Sequence, residues 1–419
     1  MWAMLRTNRD IRALFIAQVI SFAGDWFAYV AFVGLVQDLT SAPIVVTMVY
    51  VAQSLPAFLM SPVAGPTADR FDRRKVIRTV SLVQTLAAAG LLLVHSAHSL
   101  WFGFLCLCVI SALGSFVGPA AQAGLPNLAR SPEELTKAAL LFGSLWGAML
   151  AVGAALGGVV ASVFGRDVAF AANAASFLVA AGFVSLIRRP MQAERAPDDA
   201  RSTTRMRPIA DMREAFGYAR RDSVLLSLLA SKAVFAMGAG IVGLLAVLAK
   251  GELHGGDAAT GLLIAARGVG VALGPLIAAR LLGPSLGRVL LMCGCSGLVF
   301  GVCYFGLSLA PALWAAAVFA FVAHLGGGAQ WTLSTYGLQR RAPDHVRGRI
   351  LAGDFGIVTL IITLSNLSAG ALAGWLGART AIATFAVLSM LAASAYLALT
   401  RGVRAHLATE AAALASAPS

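Results

Sequence analysis

The sequence predicts an all-α integral membrane protein, with twelve transmembrane helices arranged as two pseudo-symmetric six-helix bundles. Three observations predict it. Of 419 residues, 59% are hydrophobic and 12% charged, and the mean hydropathy is +0.81, which leaves too little polar surface to coat a soluble globule of this size. Apolar runs of about 20 residues, the length that crosses a bilayer as a helix, recur along the whole chain. The basic residues gather in alternate loops, which marks one side of a membrane.

Taken in order, the first apolar run lies at 12–36, behind Arg6, Arg9 and Arg12. Further runs lie at 43–64, 76–94, 99–119, 139–163 and 167–187. After a polar interval six more follow, at 223–249, 258–279, 288–308, 311–336, 351–377 and 380–400. The first run lacks a small-x-small cleavage site and is read as a retained helix. An even number of crossings puts both termini on the same side. The organisation expected is an N-terminal bundle at 1–187, a linker at 188–222, a C-terminal bundle at 223–400 and a tail at 401–419 expected to fray.

The side is fixed by Gly65-Pro66-Thr67-Ala68-Asp69-Arg70-Phe71-Asp72-Arg73-Arg74-Lys75, a dense charged stretch between two apolar runs, read as a short polar turn. With Arg78 it holds five basic residues, so it is cytoplasmic by the positive-inside bias. From this turn, 27 of the 32 basic residues fall on the cytoplasmic side, and only Arg166, Lys250 and Arg379 fall in loops on the other. A formal charge of +13 therefore reports topology and not nucleic-acid binding. The cysteines, Cys106, Cys108, Cys293, Cys295 and Cys303, all lie in apolar runs. Two of them separated by one residue point to nearly opposite helix faces, so they read as small buried hydrophobes and not as a metal or disulfide framework.

The two halves echo each other. Ser131-Pro132-Glu133-Glu134-Leu135 before the fifth run corresponds to Ala342-Pro343-Asp344-His345-Val346 before the eleventh, each with proline and acids where a helix starts. A worn copy of the charged turn runs from Ala279 through Gly283 and Gly287 to Arg288. Between the halves, Ile209, Met212 and Phe216 recur at helical spacing beside Arg213, Arg220 and Arg221, the pattern of a helix lying on anionic headgroups. Glycines four apart, at Gly114 and Gly118, Gly153 and Gly157, Gly270 and Gly274, Gly297 and Gly301, and Gly370 and Gly374, favour close helix approach. Gly326-Gly327-Gly328 is expected to loosen the tenth helix and bend it.

The pattern Gly-x-x-x-Asp-Arg-x-x-Arg-Arg, met by Gly65, Asp69, Arg70, Arg73 and Arg74, resembles the loop between the second and third helices of the major facilitator superfamily of secondary transporters. Thr67 stands for the usual leucine and Asp72 for the usual second glycine. The stretch from Asn8 to Ala42, with Gln18, Ser21 and Gly24-Asp25, resembles the drug and metabolite exporters within that superfamily, as does Pro343-Asp344-His345-Val346-Arg347-Gly348-Arg349. The resemblance implies the major facilitator fold, alternating access about a midplane site between the bundles, and a bacterial cytoplasmic (inner) membrane location with cytoplasmic termini. It also implies that Asp69 meets the start of the eleventh helix while the loop arginines pair with neighbouring acids, with Asp354 a partner for Arg70 or Arg74 in a gate.

Charges inside apolar runs are the informative residues, because inserting one costs about 2.5 to 3.5 kcal/mol. Asp25 lies near the middle of the first run. Either it faces a wet cavity, exchanges a proton and binds a cationic substrate, or it hydrogen-bonds a neighbouring helix and never titrates. Arg267, in the eighth run, is open to three readings: gripping an anionic substrate group, pairing with Asp25 or another acid, or snorkelling to an interface. Lys232 is expected to snorkel to the cytoplasmic face. Candidate cavity-lining residues are Trp26, Tyr29, Gln53, Trp146, Asn173, His324, Gln330 and Trp331.

A phosphate-binding lysine loop, a nucleophile triad and metal-ligand spacing are all lacking in the sequence. The expectation is therefore not an enzyme but a monomeric secondary transporter without cofactors, using the proton gradient to export an amphiphilic drug-like compound or secreted metabolite. The alternative is a transporter or flippase of a lipid-like or anionic solute such as a lysophospholipid or siderophore, using Arg267.

Overall fold

The computed structural model describes residues 2–192, 216–281 and 285–416, without the surroundings of Gly65 and without the side chains of Asp69 and Trp146 among others. Among the described residues every regular element is helical. The long helices are α1 (Arg9–Leu39), α2 (Pro43–Arg70), α3 (Arg73–Gly90), α4 (Leu100–Leu128), α5 (Pro132–Val163) and α6 (Arg166–Ser185). They continue with α7 (Ser223–Glu252), α8 (Asp257–Leu281), α9 (Leu286–Ser308), α10 (Leu313–Arg341), α11 (Asp344–Leu376) and α12 (Ala378–Leu399). Eleven are long and apolar enough to cross a membrane, and α5 contributes the shorter apolar stretch Gly147–Val163. The tail expected to fray is helical instead, as α13 (Arg401–Ser416).

The helices cluster into two units. Unit 1 holds Met1–Ser41, Val49–Met206 and Gly256–Ala265, and unit 2 holds Ala42–Met48, Arg207–Gly255 and Ala266–Ser419. Unit 1 packs around Ile11, Leu14, Leu128, Val184 and Ile187, and unit 2 around Leu225, Leu228, Leu290, Cys293 and Leu338. Many large apolar side chains point outwards, Trp375, Leu399 and Leu86 the most exposed among them. Lipid solvates such groups as well as the interior does, so packing rests on close backbone approach and polar bonds.

Polar side chains cap the helices at loop-facing ends. Asn8 Oδ1 accepts from the amides of Asp10 and Ile11 at 3.2 and 3.1 Å, and its Nδ2 donates to the Leu128 carbonyl at 2.9 Å. Ser131 accepts from the Glu134 amide at 3.2 Å, and Asp222 from those of Val224 and Leu225 at 2.9 and 3.1 Å. Each satisfies amides that the first helical turn leaves open. Lys137 donates to Glu133 at 2.7 Å and holds that exposed carboxyl below the usual range, first by the hydrogen bond and then by its charge.

The charged stretch at 65–75 is not a turn over its whole length. Helix α2 continues through Arg70 and α3 begins at Arg73, so only Phe71 and Asp72 break the helices. Asp72 departs from the family glycine to serve as N-cap of α3, accepting from the Lys75 amide at 2.9 Å. Of the helix suggested by Ile209, Met212 and Phe216, only the part from Phe216 lies within the described residues. There the Arg220 guanidinium sits 5.7 Å from the Phe216 ring centre.

Gly326-Gly327-Gly328 does not interrupt α10, which is helical from Leu313 to Arg341. Consecutive helical residues point about 100° apart, so the three glycines open three directions to three neighbours. A Cβ on Gly326 would meet the Ser296 carbonyl of α9 at 2.9 Å, one on Gly327 the Phe235 ring of α7 at 3.0 Å, and one on Gly328 the Val271 carbonyl of α8 at 2.5 Å. Gly270 and Gly274 return the approach, facing the carbonyls of Phe321 and Leu325. The break falls in α7, at Ala239 and Gly240. Ser365 of α11 staples it, accepting from the Gly240 amide at 2.9 Å and donating to the Met237 carbonyl at 2.5 Å. Backbone groups released inside a membrane need such partners.

Candidate functional site

In unit 1 the candidate group is Asp25, mid-way along α1. On one side Gly24 is pressed against Ser176 and Asn173 of α6, leaving no room for a Cβ. On the other, Trp26 is 7% exposed and Tyr29 6%, their rings edge to face at 5.4 Å, with Gly153 of α5 against Trp26. The α1 backbone is thus clamped on both sides of the acid. Gln18, Ser21 and Phe22 line a small cleft with Ile77 and Ser81 of α3, and Asp25 continues that helix face one turn on. Among the described residues Asp25 has neither ion pair nor hydrogen bond. The structural role weighed for it, bonding a neighbouring helix, is not formed.

Where α2 meets α3 in unit 1, Arg73 donates to the carbonyls of Ala68, Ala123 and Met191 at 3.0, 2.6 and 2.9 Å. Arg74 donates to the Ile187 carbonyl at 2.8 Å. The resemblance implies acids as partners; the described bonds go to carbonyls at helix ends, where open acceptors and the negative end of the helix dipole favour a guanidinium. Arg70 is exposed, and the surroundings of Gly65 and the side chain of Asp69 lie outside the described set.

Among the described residues of unit 2, two cations are buried, and they have opposite fates. Lys232 does not snorkel. Its side chain is 4% exposed and bonded to Asp354, itself 3% exposed, while Nζ also donates to Thr335 Oγ1 at 2.8 Å and lies 4.9 Å from the Trp331 ring centre. Asp354 therefore differs from its expected place at the start of the eleventh helix with Arg70 or Arg74. It lies well inside α11, which begins at Asp344, and its partner is Lys232. Arg267, on α8, is 9% exposed and makes neither ion pair nor hydrogen bond among the described residues. It lies one turn before Gly270 on the face packed against α10, within electrostatic reach of His324.

The cavity-lining candidates divide. Asn173, His324 and Gln330 are 0%, 2% and 1% exposed, so they are packed and do not line open space, as are Trp26 and Tyr29. His324 bonds Tyr304 at 3.0 Å amid Phe300 and Phe235, and Gln330 donates to the Ser231 carbonyl at 2.5 Å. Gln53 and Trp331 keep accessible surface, and Trp146 lies outside the described side chains. Among the described residues no cluster of His, Cys, Asp or Glu could hold a metal ion.

A family description, transmembrane secretion effector, matches residues 1–418. The chain belongs to this family of the major facilitator superfamily. Its members are transporters, not enzymes. The major facilitator chain is 26% identical over 226 residues to the uncharacterized MFS-type transporter YfiS of Bacillus subtilis (strain 168), covering 54% of this chain and 52% of that one. It is 26% identical over 218 residues to Macrolide efflux protein A of Streptococcus pyogenes, covering 51% of each. It thus spans about half the length of the curated relatives it matches. Among solved structures, a bacterial homologue of the human lysosomal transporter Spinster, inward-facing and unoccupied, aligns with a TM-score of 0.73 at 15% identity over 94% of this chain and 97% of that one. A POT family transporter bound to a thioalcohol-conjugated peptide aligns with a TM-score of 0.73 at 10% identity over 94% and 96%. At these identities the likeness is one of fold.

Proposed function

We propose that this transporter exports an amphiphilic drug-like compound or secreted metabolite in exchange for protons, by alternating access, as a monomer in a bacterial inner membrane. The proton gradient supplies the energy and no cofactor takes part. Asp25 is the group that takes the proton and meets the substrate. One observation carries this: a carboxylate deep in a membrane helix, fixed by packing at Gly24 and Trp26, that has no bonding partner among the described residues. An acid kept for architecture alone would be expected to make the bonds that offset its insertion cost. The efflux activity named for the Streptococcus pyogenes relative supports the direction of transport.

Arg267 favours a second reading, in which the transported molecule is lipid-like or anionic and its acidic group offsets the unpaired guanidinium. The two are separated by Asp25→Asn in proteoliposomes loaded with a macrolide such as erythromycin and with a lysophospholipid. The expected outcome is loss of macrolide flux driven by a pH gradient, with gradient-independent exchange retained. Unchanged gradient-driven flux would remove Asp25 from the mechanism, and lysophospholipid flux abolished by Arg267→Gln alone would favour the second reading.

A further inference from the structure

The bond between Lys232 and Asp354 is incomplete on one side. The ammonium is well served, by Asp354 Oδ2, by Thr335 Oγ1 at 2.8 Å and by the Trp331 face. Thr335 is turned to receive it, because its own hydroxyl proton goes to the Trp331 carbonyl at 2.9 Å. The carboxylate is not well served. Its second oxygen, Oδ1, is buried and accepts no hydrogen bond among the described residues. Desolvating two charges is offset only when the remaining lone pairs are satisfied, so this pair sits with half its acid bare. Both side chains are nearly closed to their surroundings, at 4% and 3% exposed, so an organic substrate cannot reach Oδ1, whereas a proton can.

The same two helices are joined at a second place. Eight residues on from Lys232, α7 breaks at Gly240, and eleven residues on from Asp354, Ser365 of α11 holds that break. The ion pair and the staple lie along one α7–α11 seam, one of them electrostatic and the other a weak point in the helix. Other described titratable groups on the elements packed here are engaged or distant. Cys293 of α9 lies within electrostatic reach of Lys232, and Tyr396 of α12 within reach of Cys293 and Arg404. On α10, His324 is bonded to Tyr304, Tyr336 is exposed, Arg341 is paired with Asp222, and Arg340 follows near the helix end. At the far end of α7 are Lys250 and Glu252, the latter paired with Arg379 of α12.

We propose that Asp354 is a second proton-binding group and that its bond to Lys232 is a proton-released clasp between α7 and α11. A proton adds to Oδ1 and the carboxylate becomes neutral. Lys232 keeps its charge, loses its counterion and is held only by Thr335 and Trp331, so the α7 segment is free to move at the Ala239–Gly240 break. Loss of the proton reforms the pair. This rests on the proton-coupled reading above and adds to it a site independent of Asp25.

The test needs no substrate. Infrared difference spectra of the full chain in lipid nanodiscs, acid minus alkaline, should contain a protonated-carboxyl C=O band that Asp354→Asn removes and Asp25→Asn leaves in place. Lys232→Gln should make that band appear at a higher pH, since the cation that favours the carboxylate is gone. Hydrogen exchange across Ser223–Glu252, corrected for its intrinsic pH dependence, should quicken severalfold on acidification in the wild type. It should lose that response in the Lys232→Gln, Asp354→Asn double variant, which keeps both shapes without charge. Spectra of Asp354→Asn that superimpose on the wild type, or an undiminished exchange response in the double variant, would overturn the proposal. Either result leaves the test of Asp25 untouched, because that test reads a different variant and a different signal.

Discussion

Arg166 holds Asp257 by two nitrogens, Nε to Oδ2 at 2.7 Å and Nη2 to Oδ1 at 3.2 Å, while Nη1 reaches Asp38. Asp257 opens α8 within the segment Gly256–Ala265 that clusters with unit 1. Gly34 of α1 is pressed against both partners, so the bridge fits a slot with no room for a Cβ. Arg166 is one of three basic residues that break the positive-inside pattern, and Arg379 is another. Arg379 is likewise engaged, with the carbonyls of Ser308 and Ala310 at 2.8 and 2.9 Å and with Glu252 at 3.3 Å. These two of the three exceptions to the charge rule are bonded in place.

Arg166→Gln strands a carboxylate that is 8% exposed, at a cost of about 3 kcal/mol by the rule for broken buried pairs. The thermal transition of the detergent-solubilised protein should fall. Arg166→Gln with Asp257→Asn should fall by less than the two single losses added, because the residues share one bond. Additive losses would show that the bridge carries no coupling.

Ser365→Ala removes both bonds at the α7 break and leaves the Gly240 amide and Met237 carbonyl without their partner, at about 1 to 3 kcal/mol. Exchange at the Gly240 amide should accelerate relative to the rest of α7. An unchanged rate would mean that the break is held by something other than the staple.

The glycine pairs should not respond alike. Gly274→Ala places a methyl against the Leu325 carbonyl and should lower stability, whereas Gly118 has nothing within 4 Å of a Cβ. Gly118→Ala should therefore be neutral or gain up to about 1 kcal/mol from helix propensity. Thermal transitions of the two variants side by side check this, and similar shifts would contradict it.

Asp72→Ala removes the N-cap of α3 and should cost about 1 kcal/mol. Asp72→Ser should recover most of it, as read by the same thermal transition. A loss equal in both variants would point away from capping.

What hydropathy reveals is where lipid begins, not where a helix begins. The apolar runs give the crossings, which is why the fold was legible. Helix ends were not, because α2 runs on in polar sequence to Arg70 and α11 starts in it at Asp344. Asp354 was consequently read as a helix-start residue when it lies well inside. Its partner, 122 positions away, has no local signal, and neither has the carbonyl cluster that Arg73 finds. Asp25 and Arg267 could be found because charge inside an apolar run is itself a signal. The glycine triplet was ambiguous because one composition serves a bend or a close contact, and only the packing reveals that each glycine meets a different neighbour.

Outward movement of an amphiphile through this chain, driven by a proton gradient as proposed above, can be measured directly. The direct measurement is flux of a panel of amphiphilic compounds through proteoliposomes of the purified wild type, with and without an imposed pH gradient, while lumenal pH is followed. The account predicts that at least one amphiphile moves faster with the gradient and that protons move the opposite way in step. Flux indifferent to the gradient, with no accompanying proton movement for any compound transported, would contradict it.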